Sequence, residues 1–286
     1  TRMDESEEEF AFVANWIANL AELQKMPVLP VHRNAIHQAL DTLRHNPPNM
    51  RSLTDFWHVI QDQDLKQALK HYTKDGALGH LLDAQTDNLE LSRFVVFEIE
   101  SLMEMGEANL IPVLDYLFHR IEKALAGQPG LLMLDEAWVM LGHPVFQRKI
   151  REWFKTYRRK NCIVLLSTQS ISDAANSGIM DVIIESCPSK FFLANLAAEE
   201  EQPAQLYRQA GLNERQISII AKSMTPKQDY YIVQPSGRRR VQLALGKKTL
   251  AFVGASDRES IARIRTLRTQ YPETWRHIWL QERGAA

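Results

Sequence analysis

The chain has 286 residues, of which 45% are hydrophobic and 24% charged, and its formal net charge is −1. These values are ordinary for a globular protein and exclude a fibrous or disordered chain, while the near-zero charge gives no indication of a nucleic acid or membrane partner. No apolar run approaches the ~18 residues of a membrane-spanning helix. Cys162 and Cys187 lie in apolar stretches, which predicts buried free thiols in a reducing compartment.

The first 80 residues show helical patterns broken by prolines. A helix is predicted over residues 4–24, where an acidic first turn precedes apolar side chains at helical spacing. Further helices are predicted over 32–44, after Ser52 or Thr54 as N-cap, and near 64–72. We therefore predict that residues 1–29 contribute a helix to the core and that residues 30–80 form a small all-helical subdomain.

From residue 81 to 286 the pattern predicts an α/β core. Residues 93–99 are rich in β-branched and aromatic side chains and predict a strand, a helix follows at 109–126, and Leu131–Leu134 predicts a buried strand. Strand, helix and strand form a βαβ unit, which makes the two strands parallel. The further predicted elements are a helix from Pro144, strands at 163–166 and 190–193, helices at 181–186, 199–210 and 213–223, a hairpin of 230–233 with 241–245, a helix from Ser256 to about Gln270, and a helix in 272–282.

Two adjacent carboxylates, Asp135 and Glu136, follow the apolar run Leu131–Leu134. Open α/β sheets bind ligands at the carboxyl ends of their strands, and this is the Walker B arrangement of nucleotide triphosphatases. Asp135 is the candidate for holding Mg²⁺ through water, and Glu136 for polarising the attacking water. The alternative is a strand end with a helix-capping aspartate.

Thr168 and Gln169 end the next predicted strand and should lie at the same edge of the sheet. A neutral amide there can donate to a phosphate oxygen or to the attacking water without adding charge. We therefore predict that Thr168 and Gln169 contact the nucleotide and that Gln169 also takes part in catalysis. The alternative is that Gln169 only caps the following segment.

Arg158 and Arg159 belong to a basic run at the end of the helix from Pro144. A guanidinium group supplied by a neighbouring subunit can neutralise charge on a transferred phosphoryl group. Both are candidates for this role, with Arg158 preferred, and the run Arg238–Arg240 is the rival. The alternative is a solvated charged face, which is the interpretation kept for Arg148 and Lys149.

The phosphate-binding motif G-x-x-x-x-G-K-[ST] is absent from the sequence. Gly246-Lys247-Lys248-Thr249 lacks the upstream glycine and lies between strand-like segments, so it is rejected as a phosphate loop. We expect the loop to precede Thr1 in a longer protein, so that this segment alone does not hydrolyse ATP. A degenerate ATPase is the other possibility. Glu98 and Glu100 are expected near the site as supporting groups or at the surface.

Several short stretches together carry a resemblance to a known family. They are Phe97-Glu98-Ile99-Glu100, Pro112-Val113-Leu114-Asp115-Tyr116-Leu117-Phe118, Leu134-Asp135-Glu136-Ala137-Trp138, Arg159-Lys160-Asn161, Ser167-Thr168-Gln169-Ser170, Asp229-Tyr230-Tyr231 and Leu245-Gly246. In this order and spacing, they make nearly the whole chain resemble the carboxyl-terminal part of the VirB-four/TrbE/CagE family of conjugative type IV secretion ATPases.

The resemblance implies a RecA-like P-loop NTPase core with a mostly parallel sheet and an inserted helical subdomain. It implies ATP and Mg²⁺ as cofactors and a homo-oligomer, either a hexamer or a trimer of dimers. It also implies a peripheral location at the cytoplasmic face of the bacterial inner membrane, with other secretion components and ATPases as partners. The implied activity is ATP hydrolysis that energises pilus biogenesis and substrate transfer.

Two other functions remain open at this point. A related RecA-like DNA translocase or coupling ATPase should bind DNA with strong salt dependence, and the near-zero net charge argues mildly against it. A non-catalytic assembly scaffold would keep the fold without turnover. Substitution of Glu136 by glutamine separates the motor from the scaffold, since a scaffold does not need that carboxylate.

Overall fold

The structure is a computed structural model that describes residues 6–87, 89 and 91–286. Its Cα positions form two compact units. The first unit contains the described residues up to Met133 together with Thr156–Leu165. The second contains Leu134–Lys155 and Leu166–Ala286.

The first unit is built mainly from helices. They are α1 (Glu7–Leu23), α2 (Pro30–Arg44), α3 (Leu53–Val59), α4 (Gln63–Leu69), α5 (Gly79–Leu82), α6 (Glu100–Met103) and α7 (Glu107–Ala124), with 3₁₀ turns at Pro48–Met50 and Lys70–Tyr72. Of the two N-caps predicted for α3, the structure selects Ser52, whose hydroxyl accepts from the Asp55 N–H. The helical character predicted for residues 30–80 is confirmed, while the domain boundaries at 30 and 80 stay predictions.

Helix α1 is held against α7 by apolar packing and by two polar contacts. Trp16 is buried, and its Nε1 donates to the Pro112 carbonyl at 3.1 Å. The buried Glu9 carboxylate accepts from His119 Nε2 at 2.9 Å and from Lys123 Nζ at 2.8 Å. Burial alone would raise the pKa of Glu9, but these two partners outweigh it and lower the pKa.

The strand predicted at residues 93–99 is wrong. The segment 91–99 is irregular and makes no strand pairing, and Phe94 and Val96 are 84% and 74% exposed. β-branched and aromatic side chains favour a strand only where a neighbouring strand covers them, and that condition cannot be judged from a local pattern. The βαβ unit proposed around α7 therefore lacks its first strand.

Two strands, β1 (Gly130–Leu134) and β2 (Cys162–Leu166), pair with each other. The Gly130 N–H donates to the Asn161 carbonyl, and the Ser167 N–H donates to the Leu134 carbonyl. Because both starts and both ends are joined in this way, the strands are parallel.

The predicted burial of the strand Leu131–Leu134 on both faces is wrong, because one face of the β1–β2 pair is apolar and exposed. Leu131 and Met133 of β1 are 65% and 61% exposed, and Ile163 and Leu165 of β2 are 69% and 37% exposed. Since side chains alternate along a strand, these four residues share a face, and the register places Leu131 beside Ile163. We call these four residues the open face.

The remaining elements run from the end of β1 to the C-terminus. They are α8 (Trp138–Leu141), α9 (Pro144–Thr156), α10 (Ile171–Asn176), α11 (Met180–Ser186), β3 (Lys190–Leu193), α12 (Glu201–Gln209), α13 (Glu214–Ser218), a π-helical turn (Ile219–Ser223), β4 (Asp229–Gln234), β5 (Gly237–Gln242), α14 (Lys247–Val253), α15 (Arg258–Gln270) and α16 (Trp275–Glu282). The predicted capping box of Asn213 and Gln216 is present at α13.

Strands β3, β4 and β5 form a separate antiparallel sheet. The predicted hairpin is confirmed, and β3 pairs with it rather than with β2. Helices α12 and α13 cover one side, where Tyr207 contacts Phe192 edge to face at 5.8 Å between ring centroids. The described residues thus contain a parallel pair and an antiparallel sheet.

Two local predictions in the C-terminal region are corrected. The N-cap of α15 is Asp257, whose carboxylate accepts from the Ser260 N–H at 2.8 Å, and not Ser256. Gly246 does not lie between strands, because it immediately precedes helix α14.

None of the helices in the described ranges has the length and apolar content needed to cross a lipid bilayer.

Candidate active site

The acidic pair lies in a tight turn between β1 and α8. Asp135 follows the last residue of β1 and is exposed, and Glu136 is half-buried. Glu136 has a φ of 54°, a left-handed conformation that is uncommon for residues other than glycine. The turn therefore presents two carboxylates side by side at the carboxyl end of a parallel strand.

Ser167, the first residue after β2, makes three hydrogen bonds to this turn. Its N–H donates to the Leu134 carbonyl at 2.9 Å, and its carbonyl accepts from the Ala137 N–H at 2.9 Å. Its Oγ donates to Asp135 Oδ1 at 2.8 Å. Ser167 was not among the predicted site residues, although it begins the stretch Ser167-Thr168-Gln169-Ser170 that carries part of the family resemblance.

The structure brings Gln169 and Glu136 together. Gln169 Nε2 donates to Glu136 Oε1 at 2.6 Å, although the two residues are 33 positions apart in the sequence. A hydrogen bond to an ionised acceptor is short and strong, so the amide fixes the direction of the Glu136 carboxylate. The catalytic roles of both residues stay predictions.

The Thr168 hydroxyl faces the start of α10 instead of the acidic pair. Its Oγ1 donates to Asp173 Oδ2 at 2.7 Å and lies 3.3 Å from the Ser170 carbonyl. Contact with a nucleotide through this hydroxyl requires it to leave Asp173. The predicted binding role of Thr168 is compatible with its exposure and stays a prediction.

Arg158 and Arg159 lie in the turn between α9 and β2 and are both exposed. This turn is stabilised by its own backbone, since the Arg159 N–H donates to the Thr156 carbonyl and the Asn161 N–H donates to the Arg158 carbonyl. The two arginines therefore lie in a turn whose backbone is held by hydrogen bonds. A fixed backbone favours a side chain that must reach a site on another subunit. Their role in trans stays a prediction.

The rival arginine run lies on β5, and one of its members has a structural partner. Arg240 Nε lies 3.7 Å from the buried Asp229 carboxylate, and Arg240 Nη1 donates to the Ser223 carbonyl. The pKa of Asp229 is lowered, first by the hydrogen bond from the Thr225 N–H, against the opposing effect of burial, with further contributions from Gln242 and Arg240. Arg240 thus stabilises the hairpin, which weakens the rival hypothesis for this residue.

The supporting role considered for Glu98 and Glu100 loses its structural basis. Glu98 lies in the irregular segment 91–99 that was predicted as a strand. Glu100 begins α6, and its side chain lies outside the described residues.

The chemistry of the donors fits a hydrated Mg²⁺ ion at Asp135. Mg²⁺ prefers carboxylate oxygens and keeps several waters, and the exposed Asp135 offers a carboxylate whose Oδ1 is oriented by Ser167. Bound there, Mg²⁺ would neutralise charge on the phosphate oxygens. Glu136, directed by Gln169, is suited to accept a proton from water near the same edge.

Another group of possible metal ligands is made of His32, Asp62 and Asp64. His32 Nδ1 accepts a hydrogen bond from the Leu29 N–H at 3.0 Å. In a neutral ring the proton then lies on Nε2, the nitrogen directed toward Asp62, which makes that nitrogen a poor ligand. Asp62 is also the N-cap of α4. These contacts account for the cluster without a metal.

Comparison with known proteins places this fold in the class of P-loop NTPases. The family model described as the TraG P-loop domain matches residues 56–242. A solved structure, VirB4 of Thermoanaerobacter pseudethanolicus, aligns with a TM-score of 0.59 over 83% of this chain and 69% of that chain, at 16% identity, which supports the fold alone. The chain belongs to the TraG P-loop domain family.

Curated relatives place the chain in the family that the sequence motifs indicated. It is 54% identical over 280 residues to a probable conjugal transfer protein TrbE of Sinorhizobium fredii, covering 98% of this chain and 42% of the relative. It is 53% identical over 276 residues to the conjugal transfer protein TrbE of Rhizobium radiobacter, covering 96% of this chain and 33% of the relative. It is 26% identical over 291 residues to the type IV secretion system protein virB4 of Bartonella henselae, covering 98% of this chain and 36% of the relative.

The predicted resemblance to the VirB-four/TrbE/CagE family and the predicted α/β fold are therefore confirmed. The chain spans less than half the length of these relatives.

Proposed function

We propose that this chain is part of an ATP-hydrolysing motor subunit of a type IV secretion system, which energises pilus biogenesis and substrate transfer. The main observation behind the proposal is that each of the two carboxylates accepts a hydrogen bond from a residue that follows β2. Asp135 is held by Ser167, and Glu136 is held by Gln169. The similarity to proteins named for conjugal transfer and type IV secretion supports the biological process.

In this proposal each residue has a distinct task. Asp135 would hold a hydrated Mg²⁺, Glu136 would orient and polarise the attacking water, and Gln169 would keep Glu136 aligned. Thr168 contributes to nucleotide binding. Arg158 or Arg159 of a neighbouring subunit neutralises charge on the transferred phosphoryl group, which makes a homo-oligomer necessary for full activity.

The hydrolysing unit in this proposal is the full-length protein, with a phosphate loop supplied by residues outside 1–286. The loop backbone and its lysine would hold the nucleotide phosphates opposite the acidic pair. The protein would act with other secretion components at the cytoplasmic face of the bacterial inner membrane.

The test compares ATP hydrolysis and conjugative transfer by the full-length protein with those of Glu136→Gln. Loss of a general base costs about 10²–10⁴-fold, so hydrolysis should fall by at least about 100-fold while ATP binding is retained. Glu185→Gln is the matched control, since Glu185 is an exposed carboxylate on α11. Transfer that continues with Glu136→Gln would overturn the motor function and favour a scaffold.

A further inference from the structure

Ser167 makes hydrogen bonds to three residues of the turn that carries the acidic pair. Its N–H contacts the residue before Asp135, its carbonyl contacts the residue after Glu136, and its Oγ contacts Asp135 itself. The backbone contacts continue the pattern of the parallel strands and are available to any residue at this position except proline, which lacks the N–H. Only the hydroxyl contact depends on the side chain, so it is the one contact that requires serine or threonine at position 167.

The hydroxyl contact orients Asp135 without neutralising it. Asp135 is exposed, and an exposed carboxylate rotates freely unless a neighbour fixes it. A lysine or arginine at position 167 would compete with a cation for the negative charge, whereas a neutral hydroxyl uses one lone pair of Oδ1 and preserves the full charge.

We propose that Ser167 is a positioning residue for the metal-binding carboxylate. Through its hydrogen bond to Oδ1, it sets the orientation in which Asp135 meets the water shell of a divalent cation. This inference rests on the proposed function, in which Asp135 holds Mg²⁺. It adds a residue that touches neither nucleotide nor metal and acts only through Asp135.

The Ser167 backbone also fixes the turn that carries both carboxylates. The turn between Leu134 and Ala137 is fixed at both ends by its backbone, with the left-handed Glu136 inside the turn. A change in the direction of Asp135 is therefore not absorbed by movement of the turn. Loss of the hydroxyl should affect the cation site while the backbone and the Gln169–Glu136 contact remain.

The experiment measures Mn²⁺ affinity by electron paramagnetic resonance, with the full-length protein saturated with ADP. The variants are Ser167→Ala, Ser167→Thr and Asp135→Asn, and the control is Ser236→Ala in the exposed turn between β4 and β5. Loss of a partner that orients a metal-holding group typically costs about 10- to 100-fold in metal affinity, so Ser167→Ala should weaken Mn²⁺ binding by at least about tenfold. Ser167→Thr keeps the hydroxyl and should restore the affinity, and Asp135→Asn should weaken it most.

The outcomes separate this inference from the proposed function. Weaker Mn²⁺ binding by Asp135→Asn, together with wild-type affinity in Ser167→Ala, would overturn the role of Ser167 only. Unchanged affinity in Asp135→Asn would overturn the metal site on which the proposed function depends. A loss in Ser167→Ala that Ser167→Thr does not restore, with a lowered unfolding temperature in both, would assign Ser167 a structural role and also overturn the inference.

Discussion

Gln169 donates a hydrogen bond from Nε2 to Glu136 Oε1 across 2.6 Å, joining the turn after β2 to the turn after β1. The donor is neutral, so Glu136 keeps its full negative charge while its direction is fixed. A carboxylate in place of the amide would repel Glu136 at the same distance. The chemistry of the site therefore depends on an amide at position 169.

Gln169→Glu is expected to change the pH dependence of ATP hydrolysis as well as its rate. Two carboxylates in contact share one proton more readily, which raises one pKa of the pair. The acidic limb of the pH–rate profile should move to higher pH, and the rate near neutrality should fall by at least about tenfold. Gln169→Ala should lower the rate and move that limb less than Gln169→Glu does, because it adds no second carboxylate. Identical profiles for both variants would contradict the pairing.

The left-handed backbone of Glu136 leads to a prediction about stability. A side chain at positive φ costs about 1–2 kcal/mol that glycine does not pay, so Glu136→Gly should be more stable to unfolding than Glu136→Ala by about 1 kcal/mol. The order should reverse at the exposed Arg148 in the interior of helix α9, where glycine is less stable than alanine by about 1 kcal/mol. Thermal or urea unfolding of the four variants measures both differences.

The buried Asp229 carboxylate, which accepts from the Thr225 N–H and lies near Arg240, should make the hairpin sensitive to acid. The pKa of Asp229 is lowered in the folded chain, so its stabilising contribution is present above the unfolded pKa and is lost as the pH falls through the folded value. Asp229→Asn should therefore lower the free energy of unfolding at neutral pH and reduce its decline on acidification. Urea unfolding between about pH 7 and pH 3 measures this slope.

Arg240→Gln should also lower the stability, and Arg239→Gln is the control. Arg239 is exposed, and it points to the opposite face of β5 because side chains alternate along a strand. Equal stability of the two arginine variants would contradict the structural role of Arg240.

Arg158→Ala is expected to lower ATP hydrolysis without lowering stability. Arg158 is exposed in a turn stabilised by its backbone, and removal of a guanidinium acting in trans costs about 10³–10⁵-fold in rate. Mixing Arg158→Ala with Glu136→Gln should restore part of the activity, because a shared site can then take each group from a different subunit. Arg148→Ala, an exposed arginine on α9, should have no effect, and failure of the mixture to recover activity would argue against action in trans.

Local patterns predicted the elements whose causes are local. Pro144 begins α9, Asn213 and Gln216 form a capping box, and the apolar run before Asp135 is a strand. Residues 93–99 have the same strand-favouring composition, but a strand also needs a partner, and pairing depends on residues far away in the sequence. The same limit applies to β3, whose antiparallel pairing with β4 is set by the register between distant residues.

Within the site, too, local patterns identified some residues and missed others. Adjacent carboxylates after an apolar run, and Thr168 and Gln169 after the next one, could be recognised from the sequence. Ser167 could not, because its three contacts arise from the register of two strands, and its side-chain partner is 32 positions away. Asp257 replaced Ser256 as the N-cap of α15 because the start of a helix can shift by one residue among adjacent polar side chains.

The open face of β1 and β2 has a consequence for handling the isolated chain. This face is an exposed apolar patch on a two-stranded sheet, made of Leu131, Met133, Ile163 and Leu165. Patches of this kind drive self-association, and exposed strand edges favour edge-to-edge joining of molecules. Residues 1–286 in isolation should therefore scatter light increasingly as the protein concentration rises. Replacement of Ile163 by threonine, which retains strand propensity, is the mildest way to obtain a colloidally stable preparation.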